Sequence, residues 1–202
     1  MSLGAIVLCG GRSLRMGRPK AWLPFGPERL LTRVVRLVGE AVGPVVVVAG
    51  PGQDWPDLPA DTIVMRDARE GLGPLAGIAS GLEAIGGDTA LVYATATDAP
   101  FLAPRWVARL AELIGDADLA IPRIEGQLHP LAALYRRETI GPIVRSLRDR
   151  GRSRLLDLAD AARSREVGAD ELRAVDPDLA TLRNVNTPDE YRAALLLAGF
   201  SD

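Results

Sequence analysis

Val45-Val46-Val47-Val48-Ala49 is apolar at every position. A strand that faces water on one side alternates apolar and polar residues; one without a polar position is covered on both faces. A second such run, Ala5-Ile6-Val7-Leu8, opens the chain. Covered strands of this kind are built from strand–helix–strand crossovers, so the chain reads as an α/β protein. The expected architecture is a mainly parallel sheet between two helical layers, a three-layer α/β/α sandwich. Further strands are expected at Thr62–Met65, Ala90–Thr95 and Leu119–Ile121, with weaker candidates at Leu131–Tyr135, Arg165–Val167 and Leu182–Val185.

The intervening segments repeat apolar residues at helical spacing. Glu28–Val42 places Leu31, Val34, Val35, Val38 and Val42 on one face. Pro74–Ile85 is bracketed by Gly73 and Gly86-Gly87, and Pro104–Ile114 opens on a proline suited to a first turn. Helices are also expected over Arg137–Arg148 and Ser153–Ala162. A last one starts at Thr187-Pro188-Asp189-Glu190, which has the spacing of a capping box. The chain of 202 residues suits one domain over 1–202, without repeat or linker.

The first strand empties into Cys9-Gly10-Gly11-Arg12-Ser13-Leu14-Arg15-Met16-Gly17-Arg18-Pro19-Lys20. Glycines let a backbone approach a ligand closely, successive N–H groups form an anion-binding nest, and the cations supply charge for phosphate oxygens. The loop points to a nucleotide held by its phosphates. It is not a Walker A loop, because Lys20 is followed by Ala21 and is not preceded by glycine. Nor is it a dinucleotide fingerprint: Gly10 and Gly11 are adjacent, and Pro19 interrupts any helix there. Within it, Lys20 and Arg15 are candidates to stabilise phosphate charge, and Ser13 to hydrogen-bond phosphate or to close the turn. Arg12 and Arg18 are weaker candidates.

The balance of 24 Lys and Arg against 26 Asp and Glu argues against a nucleic-acid partner, which calls for a basic excess. A single cysteine makes no internal disulfide and suits a reducing compartment. No secretory leader and no apolar run of about 20 residues is seen. The expectation is a cytoplasmic protein without membrane attachment.

In open α/β sheets, ligands lie beyond the carboxyl ends of the strands. That rule selects the glycine loop, Asp67 after the third strand with Gly71-Leu72-Gly73 beyond it, and Asp98 after the fourth. A lone carboxylate beside a phosphate loop suits Mg²⁺, which takes one or two carboxylates and completes its shell with water and phosphate; the plain alternative is a turn residue before Pro100. Asp67 has the stronger claim to being an ordinary turn aspartate. Asn184 and Asn186 alternate along an extended segment. They either read a polar ring or complete a metal shell, or they are turn chemistry leading into the last helix. Arg145, Arg148, Arg150, Arg152 and Arg154 either grip a second phosphorylated substrate or form a solvated helix end, the favoured reading. His129 reads as a hydrogen-bonded structural residue and Cys9 as a small packed one.

Leu8-Cys9-Gly10-Gly11-x-Ser13-x-Arg15-Met16-Gly17-x-x-Lys20 resembles the signature loop of nucleotide-sugar-type nucleotidyltransferases. More narrowly it resembles the molybdenum cofactor guanylyltransferases of MobA type. The resemblance continues in order at Gly73-Pro74-Leu75-Ala76-Gly77, Asp98-Ala99-Pro100-Phe101, His129-Pro130-Leu131 and Asn184-Val185-Asn186-Thr187-Pro188. It implies a Rossmann-like three-layer fold and transfer of GMP from GTP to the terminal phosphate of molybdopterin, with release of pyrophosphate. Carried over by motif, Leu8, Cys9 and Gly10 contact the nucleotide through backbone, with Gly11, Ser13 and Gly73 also on the nucleotide side. Lys20 binds its phosphates, Asp67 its sugar or base region, and Asp98 the Mg²⁺. Asn184, Asn186 and Arg154 fall on the pterin side. Molybdoenzymes or cofactor carriers are the expected protein partners. Cys9 replaces the family's usual alanine. Ala94-Thr95-Ala96-Thr97 lacks a cysteine that many relatives carry. Ala49-Gly50-Pro51 offers only backbone where the family often has an asparagine. Relatives with Ala-Gly in place of Gly10-Gly11 tend to use CTP, so the paired glycines point to GTP. Transfer of CMP, transfer to another small phosphate, and nucleotide binding without turnover are the competing readings.

Overall fold

The computed structural model describes residues 2–10, 16, 18–66 and 73–200. In chain order the strands are β1 (Leu3–Cys9), β2 (Pro24–Phe25), β3 (Glu28–Arg29), β4 (Val45–Ala49), β5 (Ile63–Arg66), β6 (Leu91–Ala96), β7 (Leu119–Ile124), β8 (Gln127–Leu128), β9 (Ala133–Arg136) and β10 (Ser164–Val167). The helices are α1 (Leu30–Gly39), α2 (Pro74–Ala84), α3 (Pro104–Leu113), α4 (Arg137–Asp149), α5 (Leu155–Ala161), α6 (Ala169–Arg173) and α7 (Pro188–Leu197).

The main sheet runs in the order β10-β7-β9-β6-β1-β4-β5, with β8 paired to β7. β1 lies parallel to both β4 and β6, and β4 is parallel to β5. The carboxyl ends of these four strands therefore share one edge. The sheet is mostly parallel but mixed, because β9 runs antiparallel to β6 and β7. Residues 125–132, which join β7 to β9, are too few for a parallel crossover, which takes about a dozen or more.

The continuous apolar runs are explained by packing on both faces. Ala5, Val7, Val47 and Tyr93 face the layer that holds Val34, Val38, Trp106 and Leu110. Ile6, Val46, Val48 and Val92 face Leu75, Ile78, Leu82, Val144 and Leu158. Helix α2 approaches β1 so closely that a Cβ on Gly81 would lie 2.7 Å from Ile6. A third cluster joins Met16, Leu23, Phe25 and Leu30 to Val185, Tyr191 and Leu195. It seats α7 against the β2–β3 hairpin, helped by a hydrogen bond from the Tyr191 hydroxyl to the Pro24 carbonyl.

Three expectations need correction. Leu182–Val185 is not a strand: Ala180–Leu182 is a 3-10 turn, set by the Asp176 carboxylate, which accepts from the amides of Ala180 and Thr181 at 3.0 and 2.8 Å. Leu131 and Ala132 belong to another 3-10 turn, so the strand there begins at Ala133. Glu28 and Arg29 pair with Pro24 and Phe25 rather than starting the first helix. The capping box at α7 forms as expected, with Glu190 N–H donating to Thr187 Oγ1 and Glu190 Oε2 accepting from the Thr187 amide.

Candidate active site

At the carboxyl edge of the sheet, β1 and β6 open into a small cleft of about 120 Å³. Its wall includes Leu8, Gly10, Lys20, Gln53, Thr97 and Asp98. Four of the six were singled out from the sequence. The strand ends are stitched together by backbone: the Thr97 amide donates to the Leu8 carbonyl at 3.1 Å, and the Gly50 amide to that of Cys9 at 3.2 Å. Among the described residues, a Cβ added at Gly10 would meet only the Gly50 nitrogen, at 4.0 Å.

Lys20 opens a short 3-10 turn, Lys20–Trp22. Its ammonium donates to Asp98 Oδ2 at 3.1 Å and to Asn186 Oδ1 at 2.8 Å. The Lys20 and Asp98 side chains are only 17% and 20% exposed. The pair is therefore screened far less than a surface ion pair. Three distant segments meet here: the turn after the first loop, the turn after β6, and the approach to α7. Each is fixed separately. Leu23 N–H donates to the Lys20 carbonyl at 3.1 Å. Arg33 Nε donates to the Pro100 carbonyl at 2.8 Å, just past Asp98. The Asn186 amide donates to Glu190 Oε2 at 2.6 Å, so the cap of α7 also orients the asparagine.

Cys9 is 1% exposed, and burial pushes its thiol above the ordinary range. Its sulfur accepts from Gln53 Nε2 at 3.3 Å. It is a packed residue behind the cleft, as expected, and not a nucleophile. Gln53, in the loop after β4, lines the cleft, and its Oε1 accepts from the Gly50 amide at 3.3 Å. Sequence reading missed Gln53, although it follows a strand end that the edge rule selects. Thr97, also unassigned, adjoins Asp98.

Other expected residues are not among those that line this cleft. Gly73 heads α2 at φ 75°, and a Cβ there would fall 2.8 Å from the Ser153 carbonyl oxygen. Packing against the segment that holds Arg154 accounts for this glycine. Arg154, Arg145, Arg148, Arg150 and Arg152 are exposed, and among the described residues only Arg152 has a carboxylate partner, Asp157 at 3.9 Å. Asn184 is exposed whereas Asn186 is half-buried. Arg18 stands 6.0 Å over the Tyr191 ring. His129 departs in part from expectation. Its backbone is bonded to Pro122 and Ala132, but its imidazole has no hydrogen bond among the described residues, and burial pulls its pKa below the ordinary value. Gly11, Ser13, Arg15 and Asp67 lie outside the described residues.

A lysine, a carboxylate and an amide oxygen thus meet at the carboxyl edge of a mostly parallel sheet, the place where α/β enzymes bind their ligands. Residues 5–167 match the model of the MobA-like NTP transferase domain; the chain belongs to that family and is a nucleotidyltransferase. It is 36% identical over 198 residues to a probable molybdenum cofactor guanylyltransferase of Chloroflexus aggregans, covering 95% of this chain and 93% of that one. It is 37% identical over 190 residues to a protein of the same description from Mycobacterium tuberculosis, with 92% and 89% covered. The fold matches the crystal structure of molybdopterin-guanine dinucleotide biosynthesis protein A from Archaeoglobus fulgidus, with TM-score 0.79, 22% identity, and 97% and 98% of the two chains covered. It also matches 2-C-methyl-D-erythritol 4-phosphate cytidylyltransferase from Thermus thermophilus, with TM-score 0.72, 20% identity, and 98% and 100% covered.

Proposed function

We propose that this chain transfers GMP from GTP to the terminal phosphate of molybdopterin. A phosphate oxygen of the pterin attacks the α-phosphorus, the bond to the β-phosphate oxygen breaks, and pyrophosphate leaves with the electron pair. The observation that carries the reading is the convergence of Lys20, Asp98 and Asn186 beside the open end of β1, in a chain whose relatives are described as molybdenum cofactor guanylyltransferases. No Cys–His or Ser–His pairing is needed, because the acceptor phosphate is itself the nucleophile. The protein's task is positioning and charge stabilisation.

Asp98 and Asn186 present two hard oxygens to one cation position, a donor set that fits Mg²⁺ completed by water and phosphate. Bound there, the metal would neutralise charge on the triphosphate. Lys20 would bind the phosphates, joined by Arg15, Ser13 and the amides of Gly10 and Gly11. Leu8 and Cys9 would offer backbone to the nucleotide, with Asp67 toward its sugar or base. We place the pterin on the Asn184 and Arg154 side. Among the described residues no helix is long and apolar enough to cross a membrane. A cytoplasmic site of action, with molybdoenzymes or cofactor carriers as partners, completes the reading.

The test is pyrophosphate release from each of the four NTPs, with and without molybdopterin and Mg²⁺. Release with GTP that requires both additions is expected. Preference for CTP would overturn the choice of nucleotide, and GTP binding without release would overturn transfer.

A further inference from the structure

Lys20 is the only lysine among the chain's 24 Lys and Arg residues. A chain that otherwise uses arginine throughout keeps a compact ammonium at this one position. The two cations are not interchangeable: arginine is a planar fork, lysine a point charge on a flexible stem. The point charge sits where Asp98 Oδ2 and Asn186 Oδ1 converge, at 3.1 and 2.8 Å. Two oxygens from different segments facing one small cation is also the pattern that a divalent ion takes. A guanidinium spreads its charge over a planar fork instead of one point.

We propose that Lys20 holds the cation position of the site and yields it on substrate binding: Asp98 and Asn186 exchange the ammonium for a divalent cation while Lys20 passes to the triphosphate. The inference rests on the reading above and adds a coupling to it. The backbone of Lys20 is held by the 3-10 turn, and neighbouring Ala21 is 1% exposed. The four-carbon stem is the part free to move, so the exchange requires no backbone rearrangement.

The energetic consequence follows from the low exposure of the pair. A divalent cation binding alone takes the oxygens and strands the ammonium. Triphosphate binding alone takes the ammonium and strands the carboxylate. Stranding a largely buried charge is costly. Binding both re-pairs every charge, so metal and nucleotide bind with positive coupling, which acts reciprocally.

Because the chain has a single lysine, ¹⁵N-lysine labelling gives one side-chain ammonium resonance. A held ammonium exchanges its protons slowly enough to be seen by NMR; a released one does not. The expected sequence is a visible signal in the protein alone, loss of that signal at saturating Mg²⁺, and its return at a new position with Mg²⁺ and a non-hydrolysable GTP analogue. Calorimetry on the same samples confirms saturation. Lys20→Met, checked for folding by circular dichroism, should bind Mg²⁺ alone about tenfold tighter and lose most of the metal–nucleotide coupling. A Lys20 signal unmoved while calorimetry reports bound Mg²⁺ overturns the exchange and leaves the proposed function standing. Calorimetry that finds no binding of GTP analogue with Mg²⁺ overturns the proposed function and the exchange together.

Discussion

The amide of Val185 donates to the carbonyl oxygen of Asp98 at 2.9 Å. This backbone bond clips the approach to α7 onto the turn after β6 and brings the next side chain, Asn186, to Lys20. The C-terminal segment is thus part of the wall that holds the cation cluster. Asn186→Ala removes a hydrogen bond to a charged group, worth about 1.5–3 kcal/mol, and leaves the Val185 clip in place. Nucleotidyl transfer should fall roughly ten- to hundredfold, with the melting temperature changed by only a few degrees. Steady-state kinetics and thermal unfolding on the same preparation check this. A large loss of melting temperature with unchanged kcat/KM would assign Asn186 to structure alone.

Asp98→Ala leaves the Lys20 ammonium without its carboxylate and removes the charged oxygen from the cation position. Catalysis should fall by about 100-fold or more, the scale on which loss of one preorganised charge-stabilising group is felt. The residual rate should respond weakly to Mg²⁺ concentration. A variant that keeps the full Mg²⁺-dependent rate would show that the metal is held elsewhere.

The sheet was readable where one residue type settles the matter. Four consecutive valines admit no exposed face, and β4 spans Val45–Ala49 as expected from them. The orientation of β9 was also within reach, because residues 125–132 are too few for a crossover. Leu182–Val185 misled because its strand-like residues lie next to Asp176, whose carboxylate captures two amides and winds the chain into a 3-10 turn. The β2–β3 hairpin has two residues per strand, too short for any periodic signal. In the site, Asp98 and Lys20 could be found because strand ends and glycine loops are local features. The Lys20–Asn186 contact spans 166 positions, and no spacing rule reaches that far. Gln53 was passed over because its role comes from the fold of the loop after β4, which brings its amide back to Cys9.

His129 predicts a pH dependence of stability. Burial lowers its folded-state pKa below the ordinary value, which is about 6.5. Between the folded and the unfolded pKa, the unfolded chain binds more protons than the native one, so stability rises with pH in that window and falls as pH drops through it. The contribution is intact above about 6.5. His129→Asn removes the titrating group and should flatten the acid-side slope, as measured by urea unfolding at closely spaced pH values. An unchanged slope in the variant would trace the acid sensitivity to other groups.

Gly81 tests how tightly α2 is laid on the sheet. A Cβ there would lie 2.7 Å from both Cδ1 and Cγ1 of Ile6, and 2.8 Å from Cγ2. Two effects oppose each other in Gly81→Ala. Helix propensity favours alanine by about 1 kcal/mol, whereas overpacking a filled core costs about 1–3 kcal/mol. Ile6 is fully buried on an interior strand and cannot retreat into solvent, so overpacking should win. The expected net loss is about 1 kcal/mol, or roughly 2–4 °C in melting temperature for a chain of this size. Pairing the change with Ile6→Val deletes only the Cδ1 contact, so it should recover part of the loss relative to the sum of the two single variants. A rise in melting temperature for Gly81→Ala alone would mean that α2 can lift from β1 without cost, and the close approach would then not be what requires a glycine at this position.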